Sequence, residues 1–188
     1  MSKQLGLDLP SHTARDRAAF FAAPCNEVAL AMIDRWPDWP GGKLVLTGPA
    51  GSGKTHLTHV WAAVSDAEIV AASDLEDRDV PTLAQGPVAI EDIPQIAGND
   101  IAQTRLFHLH NLVLANGHSL LLTGTGPLTA WGLSLPDLVS RMQAAALSRL
   151  DPPDDALLQA VLVKQLNDRQ LAVTPAVTTV ATPAGPRL

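Results

Sequence analysis

The chain has 188 residues, 13 of them basic and 19 acidic, for a formal net charge of −6. Apolar residues make up 46% and charged residues 17%, which excludes a chain disordered throughout and leaves material for one sizeable core. Cys25 is the single cysteine, so a disulfide scaffold is excluded, and the acidic balance argues against a general binder of the nucleic-acid backbone.

Residues 1–19 are polar and irregular apart from an apolar triplet at Leu5, Leu7 and Leu9. Asp8, His12, Arg15 and Asp16 interrupt any signal-like apolar stretch. No run reaches the roughly 18 apolar residues of a membrane helix. With one thiol, a reducing cytoplasm is the expected setting. Asn26 to Trp36 predicts a helix, with Val28, Ala31, Met32 and Arg35 in the i, i+3, i+4, i+7 rhythm. Pro37, Pro40 and Gly41-Gly42 end it.

Lys43 to Thr47 predicts the first strand. Lys54 to Val64 predicts a helix with Leu57, Val60, Trp61 and Val64 on one face. Glu68 to Ala71 and Val88 to Ile90 are the next two strands. Asp100 to Ala115 is the longest helix, opened by Asn99 or Asp100 and closed by Asn116-Gly117. Ser119 to Thr123 is a fourth strand and Ala146 to Leu150 a fifth. Between them Ser134 to Ala144 predicts a helix, with Ser134 and Asp137 in capping-box spacing. Asp155 to Gln165 predicts a last amphipathic helix. From Thr174 the chain turns to Thr, Pro and Ala without helical period, which reads as a disordered tail.

Strands alternating with helices predict an α/β fold with a mostly parallel five-stranded sheet. The strands are nearly all apolar, as expected when both sheet faces are covered. The organisation read from the chain is a leader over 1–19, a nucleotide-binding domain over 20–150, a partial helical lid over 151–173 and a tail over 174–188.

The strongest motif is Gly48-Pro49-Ala50-Gly51-Ser52-Gly53-Lys54-Thr55. It matches G-x-x-x-x-G-K-[ST] in full, between a strand and an amphipathic helix. Glycines let successive backbone N–H groups curl toward phosphate oxygens, and the following helix adds its positive end. Lys54 can reach the β- and γ-phosphates and the Thr55 hydroxyl can ligate Mg²⁺. His56, next in the helix, joins the nucleotide-binding set. ATP or ADP with Mg²⁺ is the implied cofactor. The loop leaves open whether the nucleotide is hydrolysed or held.

Glu91 and Asp92 end the strand Val88–Ile90. A carboxylate there would hold Mg²⁺, here Glu91 together with Thr55, and its neighbour would polarise an attacking water. Thr123 and Thr125, at the end of the fourth strand, are candidate γ-phosphate sensors; a simple turn at Gly124–Pro127 is the plain alternative. His56 and His59 stand i, i+3 on one helix, but no further ligand completes a metal set.

The tracts GPAGSGKTHL, VAIEDI and LLLTG, together with Leu135-Pro136-Asp137-Leu138-Val139-Ser140-Arg141-Met142, resemble the AAA+ domain of the bacterial replication initiator DnaA. Within that family the chain most resembles the short regulatory homologues of the Hda type, on the tract APCNEVALAMIDRWPDWP. The resemblance covers about residues 1–173. It implies an AAA+ (ASCE) P-loop NTPase fold. It also implies a function: a nucleotide-dependent negative regulator of replication initiation that promotes hydrolysis of DnaA-bound ATP.

In such proteins a Q-L-x-L-x-L peptide docks on the DNA polymerase sliding clamp, and Gln4, Leu5, Leu7 and Leu9 match it. Arg141 occupies the arginine-finger position, acting in trans on a partner's nucleotide. The clamp and DnaA are thus the implied partners, with no strong DNA contact, no membrane, and self-association open. The family's helical lid carries a second sensor arginine, whereas here the lid segment passes into the tail, so a truncated lid is expected. Intrinsic hydrolysis is expected to be weak or absent. A stand-alone ATPase, a DNA-bound initiator or loader, and a degenerate truncated homologue remain the alternatives.

Overall fold

The computed structural model describes residues 22–168. Five strands form its centre: β1 (Lys43–Gly48), β2 (Glu68–Ala71), β3 (Val88–Glu91), β4 (Leu120–Thr125) and β5 (Ala146–Arg149). Their order is β2-β3-β4-β1-β5, and all four pairings are parallel. The helices are α1 (Glu27–Asp34), α2 (Lys54–Ser65), the short α3 (Val80–Leu83), α4 (Asp100–Ala115), α5 (Pro136–Gln143) and α6 (Asp155–Asp168). Short 3₁₀ turns, including one over Ile93–Ile96, complete the described elements.

Strand side chains alternate between two faces, and here each face has its own core. Val45, Val88, Ile90, Leu120 and Leu122 pack with Leu106 and Leu109 of α4 and with Leu138 and Met142 of α5. Leu44, Leu46, Ala89 and Leu121 face the other way, against α1 and α2. In that second core Trp39 stacks on Trp61 with ring centroids 5.1 Å apart, and Trp36 meets Trp61 edge-on at 6.5 Å. Two covered faces explain why the strands are apolar along their middles, with polar side chains gathered at their ends.

Helix boundaries follow the local chemistry. The Asn99 side chain accepts the Ala102 N–H at 3.1 Å and caps α4, while Gly117 turns away at φ +77° just beyond it. The expected capping box on α5 does not form. Pro136 opens the helix after Leu135, with no side-chain cap. Ser134 lies outside the helix, where its N–H and hydroxyl donate to Gln103 Oε1 on α4.

The buried stripe of α1 also differs from the expected one. Asn26, Ala29, Leu30 and Ile33 are buried, whereas Val28 is 62% exposed. The rhythm holds, but its phase is shifted by two residues. On α2, Leu57, Val60 and Trp61 are buried as expected, but Val64 is half exposed, and Ser65 closes the stripe by donating to Trp61 O at 2.8 Å.

Candidate nucleotide site

All five strands point their carboxyl ends the same way, where open parallel sheets bind ligands. The chain leaves β1 through residues 49–53 and turns at once into α2. Gly51 and Gly53 have φ of +76° and +97°, left-handed conformations that favour glycine at these two loop positions. Gly48 answers a different need. A Cβ there would come within 2.6 Å of Leu150 O and 2.7 Å of Ser52 Oγ, so strand end and loop pack too closely for a side chain.

An open cleft of about 670 Å³ lies over this loop. Ala50, Gly51, Gly53, Lys54 and Thr55 line one side, and Asp92, Pro94, Gln95 and Thr125 the other. The sequence-predicted Lys54, Thr55, Asp92 and Thr125 are therefore brought together around one space. Gly48, Pro49, Ser52, His56, Glu91, Thr123 and Arg141 do not line it. His56 is exposed on α2.

Lys54 is buried, with Nζ donating to Gly48 O at 3.0 Å and Pro49 O at 2.8 Å. Its ammonium thus folds back over the loop that its phosphate ligand would occupy. Burial holds its pKa below the usual lysine value, while Asp92 and then Glu91 pull it back up. Among the described residues, four buried side-chain polar atoms have no hydrogen-bond partner: Ser52 Oγ in the loop, Glu91 Oε1 at the end of β3, Trp61 Nε1 on α2 and Ser148 Oγ on β5. Orphaned buried oxygens are costly, and the first two adjoin the cleft, Ser52 between the lining residues Gly51 and Gly53 and Glu91 next to the lining Asp92, without lining it themselves. Mg²⁺ takes few protein oxygens beside waters and phosphates, so the hydroxyl of Thr55 and the carboxylate of Glu91 fit it by donor type.

Thr123 is 1% exposed, and its Oγ1 accepts the Asp92 N–H at 3.2 Å. Buried there, it fixes the end of β3, leaving Thr125 as the threonine that faces the cleft. Pro94 and the polar Gln95 are the lining residues that the sequence pattern missed. The available signal was a polar residue between two buried isoleucines, Ile93 and Ile96.

Arg141 is exposed on α5. Its carbonyl accepts from Lys43 Nζ at 2.9 Å, and Lys43 opens β1, at the opposite end of the strand from the loop. Six residues of strand span roughly 20 Å, so Arg141 stands far from its own chain's cleft. Burial and then the Arg141 charge hold the Lys43 pKa below the usual lysine value. Lys43 Nζ also donates to His110 Nε2 at 3.0 Å, while His110 Nδ1 lies 3.1 Å from Asn111 Oδ1. These partners select the neutral tautomer protonated on Nδ1. Gln4, Leu5, Leu7 and Leu9 lie outside the described residues, as does everything beyond Asp168.

The sheet order, the turn after β1 and the acidic end of β3 make a P-loop α/β fold. The same fold is seen in a solved DNA replication initiation factor, with a TM-score of 0.77 and 16% identity over 87% of this chain. It is seen again in DnaA of Aquifex aeolicus bound to AMPPCP (0.74, 17%, 92%) and in domain III of Thermotoga maritima DnaA (0.74, 18%, 92%). The chain spans 57% and 60% of the first two proteins and 81% of the third. No family model matches the sequence. Among the described residues, no helix is long and apolar enough to cross a membrane.

Proposed function

We propose that the protein binds an adenine nucleotide with Mg²⁺ over Gly48–Thr55 and acts as a nucleotide-dependent regulator of replication initiation. The observation that carries the nucleotide reading is the cleft itself. Lys54 rests on two loop carbonyls, and Thr55 faces Asp92, Gln95 and Thr125 across open space. The likeness to DnaA bound to AMPPCP supports the same reading.

The loop amides and the positive end of α2 would hold the phosphates. Lys54 would exchange its carbonyl partners for phosphate oxygens. Thr55 and Glu91 would hold Mg²⁺, which neutralises phosphate charge when bound. Asp92, at the cleft wall, would orient a water.

The regulatory reading rests on the DnaA-like fold and on two sequence features. Gln4, Leu5, Leu7 and Leu9 would dock an extended peptide in an apolar groove of the sliding clamp. Arg141 would serve DnaA as a finger in trans, where such an arginine is worth about 10³–10⁵ in rate. An exposed arginine at the far end of the sheet from its own cleft suits action on a partner better than on the nucleotide of its own chain.

Two measurements separate the parts. Titration with a fluorescent adenine nucleotide tests the loop, and no binding by the wild type rejects it. A pull-down with clamp and initiator, run with ADP, with ATP and without nucleotide, tests the regulatory role. Clamp capture lost on changing Leu7 and Leu9 to Ala is the expected result. Capture of neither partner in any nucleotide state rejects that role while leaving nucleotide binding intact.

A further inference from the structure

The turn after β3 is built with more constraint than a connection needs. Asp92 sits in the left-handed region at φ +54°, which a non-glycine residue adopts at a cost. Its carbonyl accepts the Gln95 N–H at 2.9 Å, and its own N–H is held by Thr123. Ile93 and Ile96 are 0% and 1% exposed and anchor both ends of the turn in the core. Pro94 stiffens the middle. Behind it, a Cβ on Gly124 would fall within 2.9 Å of Pro94 Cδ and 2.4 Å of the buried Trp131 ring. The turn is thus clamped from behind by the sheet, and Gln95, like Asp92, is exposed on the cleft wall facing the phosphate loop.

Charge narrows what Gln95 does there. The loop side of the cleft carries Lys54, whereas the facing wall carries the Asp92 carboxylate, with Glu91 one residue before it. A nucleotide whose β-phosphate lies in the loop extends any third phosphate toward that acidic wall. Beyond what Lys54 reaches, donors on that wall would meet it, and among the wall residues only Gln95 and Thr125 offer side-chain N–H or O–H groups. A carboxamide on a rigid turn supplies two donors and no charge.

We infer that Gln95 reads the γ-phosphate, so that it sets the preference of this site for a triphosphate over a diphosphate nucleotide. This rests on the nucleotide reading above and deepens it, because it names the group through which the site distinguishes its two adenine ligands. Gln95 acts by binding, and the inference holds whether or not the chain hydrolyses ATP.

The test is competitive titration of the full chain with AMPPCP and with ADP, in Mg²⁺, for wild type, Gln95→Ala and Gln95→Glu. Thermal melts serve as the folding control. One lost hydrogen bond to a charged group predicts that Gln95→Ala weakens AMPPCP about tenfold, with ADP held within about twofold. Gln95→Glu adds a carboxylate to an acidic wall and should weaken AMPPCP further. Equal weakening of both ligands, or an unchanged ratio in both variants, overturns the role of Gln95 while leaving the nucleotide site standing. No binding of either ligand by the wild type overturns both.

Discussion

Lys43 and Lys54 flank β1 at its two ends, and both are 7% exposed. Lys43 donates to a neutral imidazole and to the Arg141 carbonyl of α5, and burial is the first cause that lowers its pKa, with Arg141 adding to it. Lys54 donates to two carbonyls of its own loop and feels the carboxylates of Asp92 and Glu91. The first lysine ties three elements together with partners that have nowhere else to turn. The second covers a loop whose amides would serve a ligand better. Burial of a cation is therefore no measure of its function; what decides is whether its partners are exchangeable.

The largest effect of breaking this contrast is expected at Lys43. Lys43→Met strands the His110 Nε2 and Arg141 carbonyl acceptors, at about 1–3 kcal/mol of stability. Urea unfolding measures it, and nucleotide affinity should not change. Pairing it with His110→Leu should recover part of the loss, since removing both partners is cheaper than removing one. A Lys43→Met protein as stable as wild type would mean that the network contributes nothing.

Lys54→Ala should do the reverse. At least about a tenfold loss of nucleotide affinity is expected, about 1.4 kcal/mol or more, with the melting temperature nearly unmoved. Equal affinity of mutant and wild type in the titration would reject the loop as a working site.

A pH series sharpens the same comparison. His110 has its pKa lowered from 6.5 by burial first, with Lys43 and Arg141 adding to the effect and the Asn111 hydrogen bond opposing it. The unfolded chain takes up this proton near pH 6.5, and the folded chain only lower. The stability tied to His110 is thus complete above about pH 6.5 and is lost as pH falls through the folded-state value. His110→Gln keeps an acceptor for Lys43 and should show a shallower loss of melting temperature between pH 7 and 5, measured as the difference from wild type. Parallel curves would place the titrating group elsewhere.

Arg141→Ala should move stability least, within about ±0.5 kcal/mol, because Lys43 holds the carbonyl of this residue and not its side chain. The same variant should fail to stimulate hydrolysis of DnaA-bound ATP in the presence of clamp-loaded DNA. Undiminished stimulation by the mutant would reject the finger role.

The sequence made much of the fold legible. Apolar runs bounded by Gly, Pro and Asn placed the five strands and the long α4, because those signals act within a few residues. Lys54 and Thr55 were found because phosphate-loop chemistry dictates residue types at fixed spacing, and Asp92 and Thr125 because polar groups end apolar strands there; the cleft gathers all four. The stripe of α1 was not legible, since a helix rich in apolar residues carries two faces, nearly opposite each other, that both satisfy the rhythm. Ser134 was misread because Pro136 offered a later helix start and Gln103, 31 residues earlier in the chain, offered its polar groups a partner.

By itself, then, the sequence determined an α/β chain with a phosphate loop after its first strand, because local geometry and glycine stereochemistry leave that motif few alternatives. Only the tertiary structure decided which polar groups share the cleft. Thr123 and Thr125 differ by two places in sequence, yet one is locked beneath Asp92 and the other opens onto the site. Gln95 became visible only when two buried isoleucines and the glycine behind Pro94 fixed its turn. Lys43 and Lys54 look alike in the sequence, and it was packing that gave one a closed set of partners and the other a set open to exchange.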